Sequence, residues 1–289
     1  VSTTQAQTVL VLEGGGLRGA FVAGALAELS TSPEVSFSHI FATSAGAASA
    51  AYLITGQIER AVQIWTDRTH GSQLISPRHL LAGRGLMDIA GLVKVFQGEL
   101  GLDAARLHRS ATSLRIAVTN CNTGEADHVA ATEANLFQLL EATMALPVVY
   151  GRVVQVQGVP YIDGGISDAI PLAPALALAP RRVIVVATRP LGYRKKPASW
   201  MGGLLRYNYR EFPALWPALR NRPERYNRAI AGLEALEGEG RLQVIRPERT
   251  LPASRMSRDR SVILETLALG RAAARTFLDR EMVAAAEAS

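Results

Sequence analysis

Thr-Val-Leu-Val-Leu-Glu-Gly-Gly-Gly-Leu-Arg-Gly, residues 8–19, decides the fold. Thr8–Leu12 is a short apolar, β-branched run, the pattern of a strand buried on both faces. Gly14, Gly15, Gly16 and Gly19 then turn the chain, and Gly19–Leu29 carries Phe21, Val22, Ala25, Leu26 and Leu29 at helical spacing. Glycines accept positive φ and let backbone N–H groups face a cavity. The helix start behind them adds partial positive charge, so the loop can hold an anion. Three readings stand side by side. Positions 14, 16 and 19 match the G-x-G-x-x-G of dinucleotide-binding folds. The loop also suits an oxyanion hole, or a tight turn with no ligand.

Working outward, Ser36–Thr43 reads as a second strand, Ala45–Thr55 and Gln57–Thr66 as helices, and residues 67–113 as short helices punctuated by glycines. Leu114–Thr119 is a strand with Asp127–Ala131 as its hairpin partner across Asn122-Thr123-Gly124. Glu133–Thr143 reads as a helix, Val153–Ile162 as strand material, Pro171–Ala179 as a short helix and Arg182–Ala187 as a buried strand. Residues 198–237 read as helices broken by Pro213, Pro217 and Pro223. A last strand at Arg241–Ile245 and a long amphipathic helix at Ser261–Ala286 follow. The alternation predicts an α/β fold, a three-layer α/β/α sandwich with a mostly parallel sheet.

The chain has 289 residues, 48% hydrophobic and 19% charged, which excludes a disordered, collagenous or disulfide-stapled protein. Cys121 is the lone cysteine and reads as a small buried hydrophobe. The apolar stretch Ile170–Pro180 is interrupted by Pro171, Pro174 and Pro180, so no span of the bilayer is expected. Val1–Gln7 has no charged n-region, so no secretory signal is expected and the expected location is cytoplasmic. Residues 181–260 carry 18 Lys+Arg against 7 Asp+Glu. Solvated helix faces are the common reason for such a run. Peripheral docking on an anionic membrane is the functional one, with Trp200, Tyr207, Tyr209 and Trp216 as interfacial anchors, although core packing is the commoner fate of such aromatics. No nucleic-acid partner is expected.

Ala42-Thr43-Ser44-Ala45-Gly46 stands where a strand turns into a helix, the setting of a nucleophile elbow. Small residues are needed two places before and after the serine, because strand and helix crowd each other there. Gly46 meets that need, and Ala42 stands where the usual pattern has glycine. A plain helix cap by Ser44 is the alternative. Asp163-Gly164-Gly165 is either a tight turn or the site of a base. A serine hydroxyl needs a base to take its proton. None of His39, His70, His79, His108 and His128 lies late in the chain, where an α/β-hydrolase places its histidine. An aspartate acting directly on Ser44 is therefore the better candidate. The dinucleotide reading wants an acidic residue at the end of the second strand; Glu34 precedes that strand.

GGGLRG (14–19), ATSAG (42–46), Ala142-Thr143-Met144-Ala145-Leu146-Pro147 and DGG (163–165), in this order, resemble the patatin-like phospholipases. The resemblance covers about residues 8–190. The rest, through Arg255–Arg260 and the last helix, is similar to the C-terminal region of a bacterial subgroup of that family. It implies a catalytic core at 8–190, and 191–289 as a mainly helical region packed on the same domain. It further implies Ser44 as nucleophile, Asp163 as general base, and an oxyanion hole in the loop of Gly14, Gly15, Gly16, Arg18 and Gly19. Arg18 would orient the loop or meet a substrate phosphate. Ala42, Ala45, Gly46, Gly164 and Gly165 would support the two turns. The implied substrate is a lipid or other acyl ester, and the implied chemistry needs no metal or cofactor. The sequence offers neither a calcium loop nor zinc-ligand spacing. Transfer of the acyl group to an acceptor other than water, thioester hydrolysis, and a non-catalytic interaction protein remain as alternatives.

Overall fold

Val9 and Val11 of strand β1 (Thr8–Leu12) point to one side, Leu10 and Leu12 to the other, and all four are buried. A strand buried on both faces needs a layer on each, and the computed structural model, which describes residues 8–83, 85–196 and 209–287, supplies them. The other strands are β2 (His39–Thr43), β3 (Ser113–Asn120), β4 (Ala126–Ala130), β5 (Val154–Val156), β6 (Val159–Asp163), β7 (Arg182–Val186) and β8 (Gln243–Ile245). They form one sheet in the order β5-β6-β3-β2-β1-β7-β8, with β4 paired to β3 off that path. β3, β2, β1, β7 and β8 run parallel, whereas β4 and β6 run antiparallel to β3.

The helices are α1 (Gly19–Leu29), α2 (Ala45–Ile54), α3 (Ile58–Asp67), α4 (Pro77–Leu81), α5 (Ile89–Gln97), α6 (Ala104–Arg109), α7 (Leu136–Met144), α8 (Leu172–Leu176), α9 (Leu215–Gly238) and α10 (Arg260–Glu287). Leu10, Leu12, Ile40, Ile116, Ile184 and Val186 pack with Phe21 and Leu26 of α1. Val9, Val11, Phe41, Val183 and Val185 pack with Leu172 of α8 and Tyr226, Ile230 and Leu233 of α9. Each such side chain stabilises the fold by roughly 1.5–3 kcal/mol on burial. The result is the α/β/α sandwich with a mostly parallel sheet. α10 crosses α1 at backbone contact. A Cβ on Gly24 would lie 2.0 Å from the Leu267 carbonyl oxygen, and one on Gly270 2.0 Å from that of Phe21.

Two helical expectations are corrected. Pro217 and Pro223 do not break α9, which is continuous from Leu215 to Gly238. Pro217 sits in the first turn, where its missing N–H has no helical acceptor, and the packing of Leu215, Ala218, Tyr226, Ile230 and Leu233 offsets the bond lost at Pro223. α7 starts at Leu136 because Asn135 is taken up in a turn, its Oδ1 accepting from the Thr132 N–H at 2.8 Å. Trp200 and Tyr207 lie outside the described residues. Tyr209 is only 5% exposed, packed with Cys121, Ile162 and Leu215, so it is a core residue and no interfacial anchor. Trp216 is half-buried. Among the described residues, no helix is long and apolar enough to cross a membrane.

Candidate active site

Strand register brings Ser44 to Asp163. Ala117 of β3 pairs with His128 of β4 on one edge and Thr43 of β2 on the other. Thr119 pairs with Ala126 of β4 and, opposite, Ile162 of β6. β2 and β6 therefore share one edge of β3 and approach from opposite directions. β2 ends beside Ala117 and β6 beside Val118, so the residues at their tips meet head to head. Ser44 Oγ donates to Asp163 Oδ2 at 2.9 Å, across 119 residues of sequence.

The backbone holds both groups in place. Ser44 has φ 54° and ψ −129°, a conformation that costs a non-glycine residue about 1–3 kcal/mol. Its side chain makes no cap bond to α2, so the cap reading gives way to the contact with Asp163. Its N–H donates to Thr143 Oγ1 at 2.8 Å, and Thr143 Oγ1 donates to the Ala117 carbonyl oxygen at 2.6 Å. Thr143 thus ties the turn to β3. Ala42 is fully buried within β2, and Ala45 and Gly46 open α2. A Cβ on Gly46 would come within 3.2 Å of the Leu12 side chain, and one on Gly19 within 2.7 Å of Ala45 Cβ. The strand-helix turn is crowded as its small residues suggested.

Asp163 is 1% exposed. Its Oδ1 accepts from the Gly165 N–H at 2.7 Å, and its carbonyl oxygen accepts from Thr119 Oγ1 at 2.8 Å. Gly164 is pressed on β3, where a Cβ would lie 2.0 Å from the Ala117 carbonyl oxygen, so only glycine fits. Burial pushes the Asp163 carboxyl above the ordinary carboxylate range. The charge of Arg222, the bonds from Ser44 and Gly165, and the charge of Arg255 act in the opposite direction.

The glycine loop lies against this pair. A Cβ on Gly14 would sit 3.2 Å from Ser44 Cβ. The Gly14 N–H is engaged by the Ala169 carbonyl oxygen at 3.0 Å, which leaves the Gly15 and Gly16 N–H groups without a partner among the described residues. Gly16 has φ +58°, and a Cβ there would also meet the Arg255 carbonyl oxygen at 2.9 Å. Arg18 is buried in the turn that leads into α1.

Ser44, Gly16 and Leu17 open onto a cavity lined otherwise by Ala48, Tyr52, Ile64, Trp65, Ile89, Phe96, Met144 and similar side chains, none of them charged. It holds about 570 Å³ of empty space, its mouth included.

Several groups at this site have no signature in the sequence. Glu13, fully buried at the end of β1, accepts from Tyr226 Oη at 2.8 Å and from the Thr188 N–H at 2.5 Å. Arg222 of α9 donates Nε to the Gly165 carbonyl oxygen at 2.8 Å. Arg255 accepts the Leu17 N–H on its carbonyl oxygen at 3.3 Å. All three connections join residues before 166 to residues beyond 187. Of the histidines, His128 places Nε2 2.8 Å from Asp168 Oδ2, and no histidine is bonded to Ser44 among the described residues.

The comparisons with known proteins agree with this architecture. A domain of unknown function, DUF6363, matches residues 212–282. The uncharacterised protein YjjU of Escherichia coli (strain K12) is 28% identical over 278 residues, 93% of this chain and 76% of that protein. VipD from Legionella pneumophila shares the fold at a TM-score of 0.52, with 12% sequence identity over 96% of this chain and 68% of that one. The model of the patatin-like phospholipases matches residues 10–176, more than half of the chain. The chain therefore belongs to the patatin-like phospholipase family, a family of lipid acyl hydrolases.

Proposed function

We propose that the protein is a serine acyl hydrolase that cleaves carboxylic esters of lipids, with Ser44 as nucleophile and Asp163 as its base. The observation that carries this reading is the 2.9 Å contact between Ser44 Oγ and Asp163 Oδ2 at the mouth of an apolar cavity. As Oγ attacks the ester carbonyl, Asp163 accepts its proton. The carbonyl oxygen becomes an oxyanion held, in this reading, by the N–H groups of Gly15 and Gly16, each such donor worth roughly 3–4 kcal/mol. The alcohol leaves with the proton from Asp163, and the acyl chain stays on Ser44 with its tail in the cavity. Water then attacks the acyl-enzyme as Asp163 takes its proton, and that proton passes to Ser44 Oγ as the bond to the acyl group breaks and the fatty acid departs. The strained backbone of Ser44 supports the role, since such strain gathers where a side chain must be held out toward a reactant. In this reading residues 8–190 form the catalytic core, and the later residues pack on the same domain and complete the site through Arg222 and Arg255.

The test is labelling with a fluorophosphonate together with hydrolysis of p-nitrophenyl butyrate. Wild type is labelled and active, whereas Ser44→Ala is neither. A variant Asp163→Asn that kept near-wild-type turnover would remove the base from this scheme.

A further inference from the structure

Four arginines and one lysine gather beside the glycine loop. Arg18 leaves the loop itself, and Arg255 packs its backbone on Gly16 and Leu17. Arg222 is bonded to Gly165, the residue whose N–H holds Asp163. Lys195 Nζ lies 3.7 Å from the centre of the Tyr226 ring, and Arg189 Cζ 4.1 Å from that of Tyr193. Those two rings meet edge-on at 6.1 Å. The basic groups are close enough to repel one another: Arg18 feels Arg189 and Arg255, and Lys195 feels Arg222, Arg255 and Arg18, while Glu13 attracts both and Asp163 attracts Arg222.

Their counter-charges are already in use. Glu13 is held by Tyr226 and the Thr188 N–H, and Asp163 by Ser44 and Gly165. None of the five makes a salt bridge among the described residues, while Arg194, Arg225 and Arg246 from the same basic stretch are paired with Glu234, Glu125 and Glu237. Two buried polar atoms are also unpartnered, Arg18 Nε and Thr188 Oγ1. Both residues border Gly15: a Cβ there would lie 3.2 Å from Thr188 Oγ1 and 3.3 Å from Arg18 Cβ. Arg18 lies at depth, and Arg189, Lys195, Arg222 and Arg255 are partly exposed around it. Unpaired cations and orphaned donors in one place are costly to the free protein and are answered by an anion with several acceptor oxygens.

We propose that Arg18, Arg189, Lys195, Arg222, Arg255 and Thr188 form a subsite for a phosphate on the alcohol side of the substrate, so that the preferred substrates are acyl esters with a net anionic phosphate headgroup. The proposal rests on Ser44 being the nucleophile, because it places the acyl chain in the apolar cavity and the leaving alcohol across the glycine loop from it. The same field repels an ammonium, so choline esters of the phosphate are disfavoured as well as neutral glycerides. Burial among like charges pushes the Lys195 ammonium down to about 6, the condition of a group that lacks its counter-ion.

The experiment compares monomeric 1-lauroyl lysophosphatidic acid, monolaurin and 1-lauroyl lysophosphatidylcholine below their micelle concentrations, which removes any effect of a membrane surface. The expected kcat/KM order puts the lysophosphatidic acid roughly 10- to 100-fold ahead of either competitor, the worth of one or two charge-assisted hydrogen bonds. Arg255→Gln and Arg189→Gln each narrow that ratio. Because the readout is a ratio of substrates, a change in overall rate does not imitate it. A binding measurement on Ser44→Ala by calorimetry needs no turnover, and there lysophosphatidic acid binds at least about tenfold tighter than monolaurin. Inorganic phosphate competing with lysophosphatidic acid shows that the phosphate alone is recognised; competition only by the lipid shows that the headgroup is read together with its chain. Equal rates and equal binding for the three lipids, with monolaurin hydrolysis still dependent on Ser44, would overturn the subsite and leave the hydrolase standing. Monolaurin hydrolysis that survives Ser44→Ala would instead remove the reading beneath it.

Discussion

The two sides of Ser44 are built by opposite means. The apolar cavity is lined by residues between Gly16 and Leu146, and most of its walls, such as Tyr52, Ile64, Trp65 and Phe96, also belong to the main core. The cationic side takes Arg18 from the loop and everything else from Thr188 onward, and little of it serves the core. A cavity wall stabilises the fold whether or not a ligand enters, so its presence says little about selection for function. Like charges beside one another with fewer acidic partners than bases do the reverse: they cost stability in the free protein, and that cost points to something they hold. The cluster is therefore the more informative half of the site.

The sharpest way to break the comparison is at the point the two sides share. Ser44→Ala and Asp163→Asn each lower kcat on p-nitrophenyl butyrate by at least about 10³-fold, the scale set by loss of a nucleophile or its partner. A fall of less than tenfold in either variant would mean that the cavity and the cluster do not meet at a reaction centre.

Next in size is the cavity itself. Ala48 lines it and is only partly buried, so Ala48→Phe fills space with little disturbance of the core. Rates on lauroyl esters fall roughly 10- to 100-fold, in keeping with overpacking costs of about 1–3 kcal/mol, and rates on acetyl esters hold. Equal losses on short and long chains would place the acyl tail elsewhere.

A smaller effect lies in the pH profile. Asp163 must be ionised to accept a proton, and its carboxyl lies above the ordinary range because of burial. kcat/KM therefore rises with pH through an apparent pKa higher than the usual value of about 3.9. An acid limb at or below that value would mean that Arg222 and Arg255 outweigh desolvation.

The smallest effect belongs to the cationic side. Lys195 is pushed from 10.5 down to about 6 in the folded chain, so between those pH values the unfolded chain binds more protons. Stability contributed by the neutral amine is present at high pH and is lost as the pH falls toward 6. Lys195→Met removes this dependence. At pH 7 its Tm exceeds that of wild type by about 2 °C, the equivalent of somewhat less than 1 kcal/mol for a chain of this size. A lower Tm would show that Lys195 contributes more through its contact with Tyr226 than it costs through repulsion.

Much of the architecture was legible because its signals are local. TVLVL, HIFAT and RVIVV each announce a buried strand, and the glycines and small residues after the first two announce sharp turns into helices. Ser44 and Asp163 could be nominated from those turns and from histidines that stand in the wrong places. The prolines of α9 misled because helix-breaking is a local rule, and a helix seated on a sheet can absorb one missing bond. Tyr209 and Trp216 look alike as anchors on paper, yet Tyr209 is buried with Cys121 and Ile162 and Trp216 is half-buried. The basic stretch from 181 to 260 was unreadable in the same way. Composition counts charges, but only packing separates Arg225, paired on the surface, from Arg222, turned toward Gly165.

Sequence alone determined the order of strands and helices and the chemical identity of a hydroxyl and a carboxylate at strand ends, because backbone propensity and side-chain period act within a few residues. Tertiary structure decided that the two meet, since this depends on β2 and β6 ending at neighbouring positions on one edge of β3. It also decided which arginines go without a counter-ion, since burial and pairing are properties of the assembled layers and belong to no segment taken singly.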